Sequence, residues 1–164
     1  MTTSSMSEKS NFLKNDSKVL SFNGVSPKII KQLLKIDSHL GGQKWSFKGW
    51  YEEFSNGHGV VFLNYLQGEI VGFSLFRICP FNEEVHLLKV VTLPEYRNCG
   101  LALNNLSAAI EYFDGLGAKK IILDVEASNQ GAIKLYKSLK FLEYAKKSHY
   151  YSNGETGILM VLMI

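Results

Sequence analysis

Arg97-Asn98-Cys99-Gly100-Leu101-Ala102 joins a run of strand character at residues 85–93 to an amphipathic run with helical spacing at 101–116. A strand that turns into a helix through glycine presents the first backbone N–H groups of that helix, which have no carbonyl partner within it. Those donors and the positive end of the helix dipole favour an anion, most simply a phosphate or pyrophosphate. Gly100 has no Cβ and allows close approach to the backbone, and Ala102 is small enough to do the same. The hexapeptide alone also fits an ordinary helix start eased by one glycine. Its surroundings decide between the two.

Upstream, residues 18–22 read as a first strand. Ser26-Pro27 reads as an N-cap followed by proline at the first helical position. The helix that follows carries Ile29, Ile30, Leu33, Leu34 and Ile36 on one face and is expected to end near Gly41-Gly42. A second helix is expected at about 46–54. Residues 60–66 and 70–79 flank Gln67-Gly68-Glu69 as a β-hairpin, and 84–93 form a third long strand. Downstream, helix 101–116 ends at Gly117. A strand at 120–126, a helix at 129–139 and a closing pair of strands at 141–151 and 157–164 follow. The strand–helix–strand unit from 84 to 126 requires a parallel pair with a right-handed crossover. The remaining pairs read as antiparallel, so the fold class is α/β: a mixed, mostly antiparallel sheet flanked by about four helices.

The chain has 164 residues, enough for one domain with a sizeable core. The expected organisation is a flexible polar tail at 1–16 and a single domain at 17–164. A net charge of +3, spread along the chain, tolerates an anionic ligand without pointing to nucleic acid. Residues 1–16 have no apolar stretch of a signal peptide, and no apolar run nears the ~20 residues of a membrane span, so a cytoplasmic protein is expected. Cys79 and Cys99 form no C-x-x-C pair, and no metal site is expected.

Asn129-Gln130-Gly131-Ala132-Ile133-Lys134-Leu135-Tyr136 lies beyond the second strand of the parallel pair. With the hexapeptide it resembles the R/Q-x-x-G-x-G/A and N-x-x-A-x-x-L/F-Y segments of the GNAT N-acetyltransferases. The resemblance covers the chain from about residue 18. It is closest to the bacterial ribosomal-protein-alanine N-acetyltransferases, through Trp45-Ser46, Asp124-Val125-Glu126-Ala127-Ser128-Asn129, and Tyr150-Tyr151 followed by Asn153-Gly154. It implies acetyl-coenzyme A as cosubstrate, with its pyrophosphate at Arg97, Asn98, Cys99, Gly100, Leu101 and Ala102. It also implies a parallel pair splayed at a bulge, so that the pantetheine arm meets strand backbone at about 88–92, including Val90, Val91 and Thr92. Asn129 contacts that arm in the family, and it is equally a good N-cap. The implied acceptor is a protein N-terminus, ribosomal protein S18 by resemblance. Trp45, Glu126, Tyr150 and Tyr151 are the candidates to bind it.

Acetyl transfer to an amine needs the thioester held beside the amine, a group that takes the amine's proton, donors for the developing oxyanion, and a proton for the departing thiolate. By resemblance Tyr136 supplies that last proton. Ala132, Leu135, Tyr136 and Leu139 also form a helical core stripe, which is a sufficient reason for an aromatic there. Three residues compete as base. Period two puts Asp124 and Glu126 on one strand face, and His86 lies on the neighbouring strand with a side chain that titrates near neutrality. An α-amine titrates near 8 and lysine near 10.4, so at pH 7 the former is deprotonated about a few-hundredfold more often and needs only a weak base. A lysine side chain, polyamine or small amine as acceptor, or a non-catalytic acyl-coenzyme A-binding module, are the competing readings. The chain departs from the family in three places: Asn104-Asn105 stands where many relatives have basic residues at the helix start, Lys140 replaces the glycine before Phe141, which calls for a different cap or strain, and Glu126 stands where close relatives often have another residue.

Overall fold

The computed structural model describes residues 17–21 and 24–164. The expected tail at 1–16 lies outside the described residues, as does Phe22 of the first expected strand. Strand β1 (Ser17–Ser21) precedes α1 (Pro27–Asp37), a 3₁₀ turn (Ser38–Gln43), α2 (Phe47–Ser55), the hairpin β2 (Gly59–Leu66) and β3 (Glu69–Cys79), and β4 (Glu84–Thr92). Helix α3 (Leu101–Gly115), β5 (Lys120–Glu126), α4 (Gln130–Ser138), β6 (Leu142–Lys147) and β7 (Gly157–Met163) complete the chain. The strands form one seven-stranded sheet in the order β1-β2-β3-β4-β5-β7-β6. Among the described residues, only β4 and β5 pair in parallel.

Local chemistry starts the helices where expected. Ser26 and Ser46 sit in extended conformation and accept from the N–H of Ile29 and Gly49, each with a hydroxyl the helix start requires. Helix α1 stops at Asp37, short of Gly41-Gly42. The Ser38 hydroxyl donates to the Lys35 carbonyl at 2.6 Å, an alternative to continued helix, and the chain tightens into the 3₁₀ turn. Alternation along the strands then assigns each side chain to a layer. Val61, Leu63, Phe73 and Leu75 pack under α1 and α2 with Leu33, Trp50 and Phe54. Phe62, Phe76, Leu87, Ile121 and Leu123 pack on the other face with Leu106 and Phe113 of α3 and Tyr136 of α4.

The feature that positions the site is an irregularity in β4. Leu75 of β3 lies opposite Lys89 while Phe76 lies opposite Leu87, so Leu88 is an extra residue, a β-bulge. Parallel pairing with β5 runs from Glu84↔Lys120 to Leu87↔Leu123 and stops there, although both strands continue. From Leu88 and Asp124 onward the two strands part, as the resemblance implied. The bulge also resets the alternation. Leu87 and Val90 face the α3/α4 layer, whereas Leu88 and Lys89 face α1 and α2.

The closing strands are shorter than expected. β6 ends at Lys147, and Tyr150 and Tyr151 lie in the 148–156 loop. There the backbone bends back on itself: the N–H groups of Tyr150 and Tyr151 both donate to the Glu155 carbonyl, and His149 takes a φ of 52°. At the end of α4, Lys140 keeps the left-handed cap that glycine ordinarily provides, with φ 72°, while Phe141 N–H returns to the Tyr136 carbonyl at 3.0 Å. A side chain in that conformation costs about 1 kcal/mol. Lys140→Gly is therefore expected to stabilise the fold by about 0.5–1 kcal/mol, read as a higher urea midpoint at unchanged slope.

Candidate active site

On the α3/α4 side of the sheet, a groove of about 420 Å³ runs from the bulge to the start of α3. Val90, Thr92, Arg97, Asn98, Gly100, Leu101, Ala102, Asn129 and Tyr136 all line it. Gly100 caps α3 with φ 77°, and no side chain caps the helix. The first intrahelical bond runs from Asn104 N–H to the Gly100 carbonyl, which leaves the N–H groups of Leu101, Ala102 and Leu103 without a carbonyl in the helix. A Cβ placed on Gly100 meets no atom within 4 Å, so the space above the turn is an open cradle. Arg97 Nε donates to the Thr92 carbonyl at 3.0 Å and ties the turn to the end of β4. Two residues expected here through their backbone turn their side chains elsewhere. Val91 is buried under α1 and α2, and Cys99 packs toward Val71 and Leu101.

Asn105 explains the missing basic residue at the helix start. It is buried and donates to the Phe62 carbonyl at 3.0 Å and to Asn64 Oδ1 at 2.9 Å, while its Oδ1 accepts from the Ser74 hydroxyl. It anchors the first turns of α3, and hence the cradle, to β2 and β3.

A second cleft, also about 420 Å³, opens on the α1/α2 side. Lys44, Trp45, Leu88, Lys89, Asp124, Glu126 and Tyr151 line it. The two clefts share Val90, Asn129 and Tyr136, so they meet where β4 and β5 part. Asn129 also caps α4, accepting from Ala132 N–H at 3.2 Å. Tyr136 packs its ring on Phe141 and is 8% exposed. Burial pushes its phenol up to about 12, so it keeps its proton at neutral pH.

The carboxylates of β5 are already engaged. Asp124 accepts from Lys147 Nζ at 2.8 Å on one oxygen and from the Tyr150 hydroxyl at 3.1 Å on the other. That hydrogen bond and charge hold the Lys147 ammonium above the usual lysine range. Glu126 accepts from Asn153 Nδ2 at 3.4 Å. Burial, reinforced by Asp124, raises the Tyr151 phenol. Tyr150 lies behind this wall, its ring 5.0 Å from that of Tyr151 and its hydroxyl on Asp124. His86 is not part of the site. It precedes the bulge, where β4 is still paired with Ile122 of β5, and its Nε2 lies 3.6 Å from Glu84, which also holds Lys120.

Lys89 and Asp37 are members of the site that the sequence did not betray. Lys89 Nζ donates to Asp37 Oδ1 at 2.9 Å, and both side chains are almost wholly buried. The available signals were a lysine in an apolar strand and an aspartate at a helix C-terminus, where the dipole disfavours it.

Comparison with known proteins supports the same reading. Residues 29–141 match the acetyltransferase (GNAT) family. An N-alpha-acetyltransferase of Sulfurisphaera tokodaii is 27% identical over 142 residues, covering 80% of this chain and 85% of that protein. The [ribosomal protein bS18]-alanine N-acetyltransferase of Escherichia coli K12 is 30% identical over 122 residues, covering 70% of this chain and 81% of that protein. The crystal structure of the ribosomal-protein-S18-alanine N-acetyltransferase from Escherichia coli superposes with a TM-score of 0.79 at 25% identity, covering 90% of this chain and 94% of that one. The family match over residues 29–141 and the N-acetyltransferase relatives, on a fold whose parallel strand pair opens at a bulge, show that the chain belongs to the GNAT family and is an N-acetyltransferase.

Proposed function

We propose that the protein transfers an acetyl group from acetyl-coenzyme A to the α-amine of a protein N-terminus, by direct attack on the thioester. The observation that carries this reading is the meeting of two clefts, each about 420 Å³, at Val90, Asn129 and Tyr136. The coenzyme, when bound, supplies an acetyl group activated as a thioester. The N–H groups of Leu101, Ala102 and Leu103, with Arg97 beside them, hold its pyrophosphate, and the open space over Gly100 admits it. Backbone of β4 beyond Leu88, released from β5, offers hydrogen bonds to the pantetheine arm and the thioester oxygen. Tyr136 retains its proton and gives it to the departing sulfur.

The acceptor enters between Trp45 and Tyr151. Lys147 and Tyr150 each donate to one oxygen of Asp124, so this carboxylate shapes the cleft, and its remaining lone pairs take the amine's proton directly or through water. An α-amine near pKa 8 suits so weak a base better than a lysine near 10.4 does. This favours a free N-terminus, and the 30% identical relative named for ribosomal protein S18 favours an acceptor of that type.

The test is thiol release from acetyl-coenzyme A with two hexapeptides. One begins Ala-Arg-Tyr with a free N-terminus; the other is the same peptide with that terminus blocked and an internal lysine. Turnover on the first alone is expected. Turnover on the lysine peptide, or on neither while the coenzyme binds, overturns the α-amine reading.

A further inference from the structure

Asp37 is the last residue of α1 and is completely buried. A carboxylate at the negative end of a helix dipole and out of water is doubly disfavoured. It is held by donors from three elements. Trp45 N–H donates to Oδ2 at 2.8 Å from the segment between the 3₁₀ turn and α2. Trp50 Nε1 donates to the same oxygen at 3.1 Å from α2. Lys89 Nζ donates to Oδ1 at 2.9 Å from the β4 bulge. A buried ion pair adds little net stability over an apolar pair of similar volume. Its cost therefore calls for another explanation, and the position of its members offers one.

Trp45 and Lys89 both line the cleft assigned to the acceptor. Lys89 Nζ lies 4.9 Å from the Trp45 ring centroid, a cation–π distance. Trp50 also faces that ring, at 5.6 Å between centroids. Asp37 thus fixes the backbone of Trp45, and Lys89 bridges from Asp37 to the face of its ring. The lysine reaches this side of the sheet only because Leu88 is an extra residue; without the bulge, alternation would turn it toward α3 and α4. The irregularity that opens the coenzyme gap also delivers the residue that steadies the opposite wall.

We propose that Asp37 and Lys89 are positioning residues that hold the Trp45 ring as the acceptor-side wall and thereby set acceptor affinity. This rests on the acceptor reading of the cleft. Burial pushes the Lys89 ammonium below the usual lysine range, and the hydrogen bond and charge of Asp37 oppose that shift.

The test is steady-state kinetics on the Ala-Arg-Tyr hexapeptide, with calorimetry for coenzyme A. Lys89→Met is expected to raise KM for the peptide about tenfold, the scale of a desolvated cation–π contact, with kcat and coenzyme affinity changed less than about twofold. In a Trp45→Ala background, Lys89→Met is expected to add less than twofold, because its effect runs through the ring. Lys89→Gln keeps a donor for Asp37 but no charge over the ring, and should reproduce the KM shift if the methionine variant fails to fold. An unchanged KM, an effect fully additive with Trp45→Ala, or an equal loss of kcat and coenzyme affinity overturns the proposal while leaving the acceptor reading intact. Absence of wild-type turnover on the hexapeptide overturns both.

Discussion

Tyr136→Phe is expected to lower turnover about 10²-fold or more while coenzyme affinity stays within about twofold. The ring packs against Phe141 within the α3/α4 core, and phenylalanine preserves that packing, so the substitution isolates the hydroxyl. A general acid contributes about 10²–10⁴-fold. The low end applies because a thiolate near pKa 8.5 leaves without much help. Steady-state rates and calorimetry on the same samples decide it, and unchanged turnover removes Tyr136 from the chemistry. The raised phenol has a signature of its own. With its ionisation pushed up to about 12, Tyr136 contributes no inflection to the rate profile between pH 6 and 10. The sign for stability follows from the same shift. Above about pH 10 the unfolded phenol loses its proton first, so stability falls as pH rises through the interval to the folded value.

Gly100→Val is expected to weaken coenzyme binding about 10²-fold with the fold retained. A Cβ at this position meets no protein atom within 4 Å, so the core is not disturbed. The backbone is another matter. At φ 77° a β-branched residue is strained by more than about 1–2 kcal/mol, and relief of that strain turns the first N–H groups of α3 away from the groove. The added methyl groups would occupy open space in the groove proposed for the pyrophosphate. Calorimetry with coenzyme A measures the loss, and normal affinity would place the phosphate site elsewhere.

The frame of this protein was legible because its punctuation is local. Ser26-Pro27, Ser46, Gly68, Gly100 and Asn129 each act within a turn of their own position, so the elements between them could be read in order. The splay of β4 from β5 came from resemblance alone, since nothing in residues 84–92 marks Leu88 as the extra residue. That gap in the reading had consequences. Without the phase shift at Leu88, Lys89 reads as one polar residue in an apolar strand, when it reaches across to Asp37, 52 positions earlier in the chain. His86 attracted a catalytic role through its residue type, whereas its register with Ile122 keeps it in the closed part of the strand pair. The Lys147 contact on Asp124 depends on the pairing of β6 with β7, and the Tyr150 contact on how the 148–156 loop folds back, which no spacing announces.

The bulge has a further meaning. Across most of its width the sheet is a partition, sealed by helices on one side or the other and by backbone hydrogen bonds throughout. One supernumerary leucine opens a single window in it. In the proposed reaction the coenzyme and the amine come to that window from opposite rooms, and only the acetyl group crosses. That layout lets both reactants be held at once, so the proposed transfer needs no acetyl group stored on a side chain between arrivals.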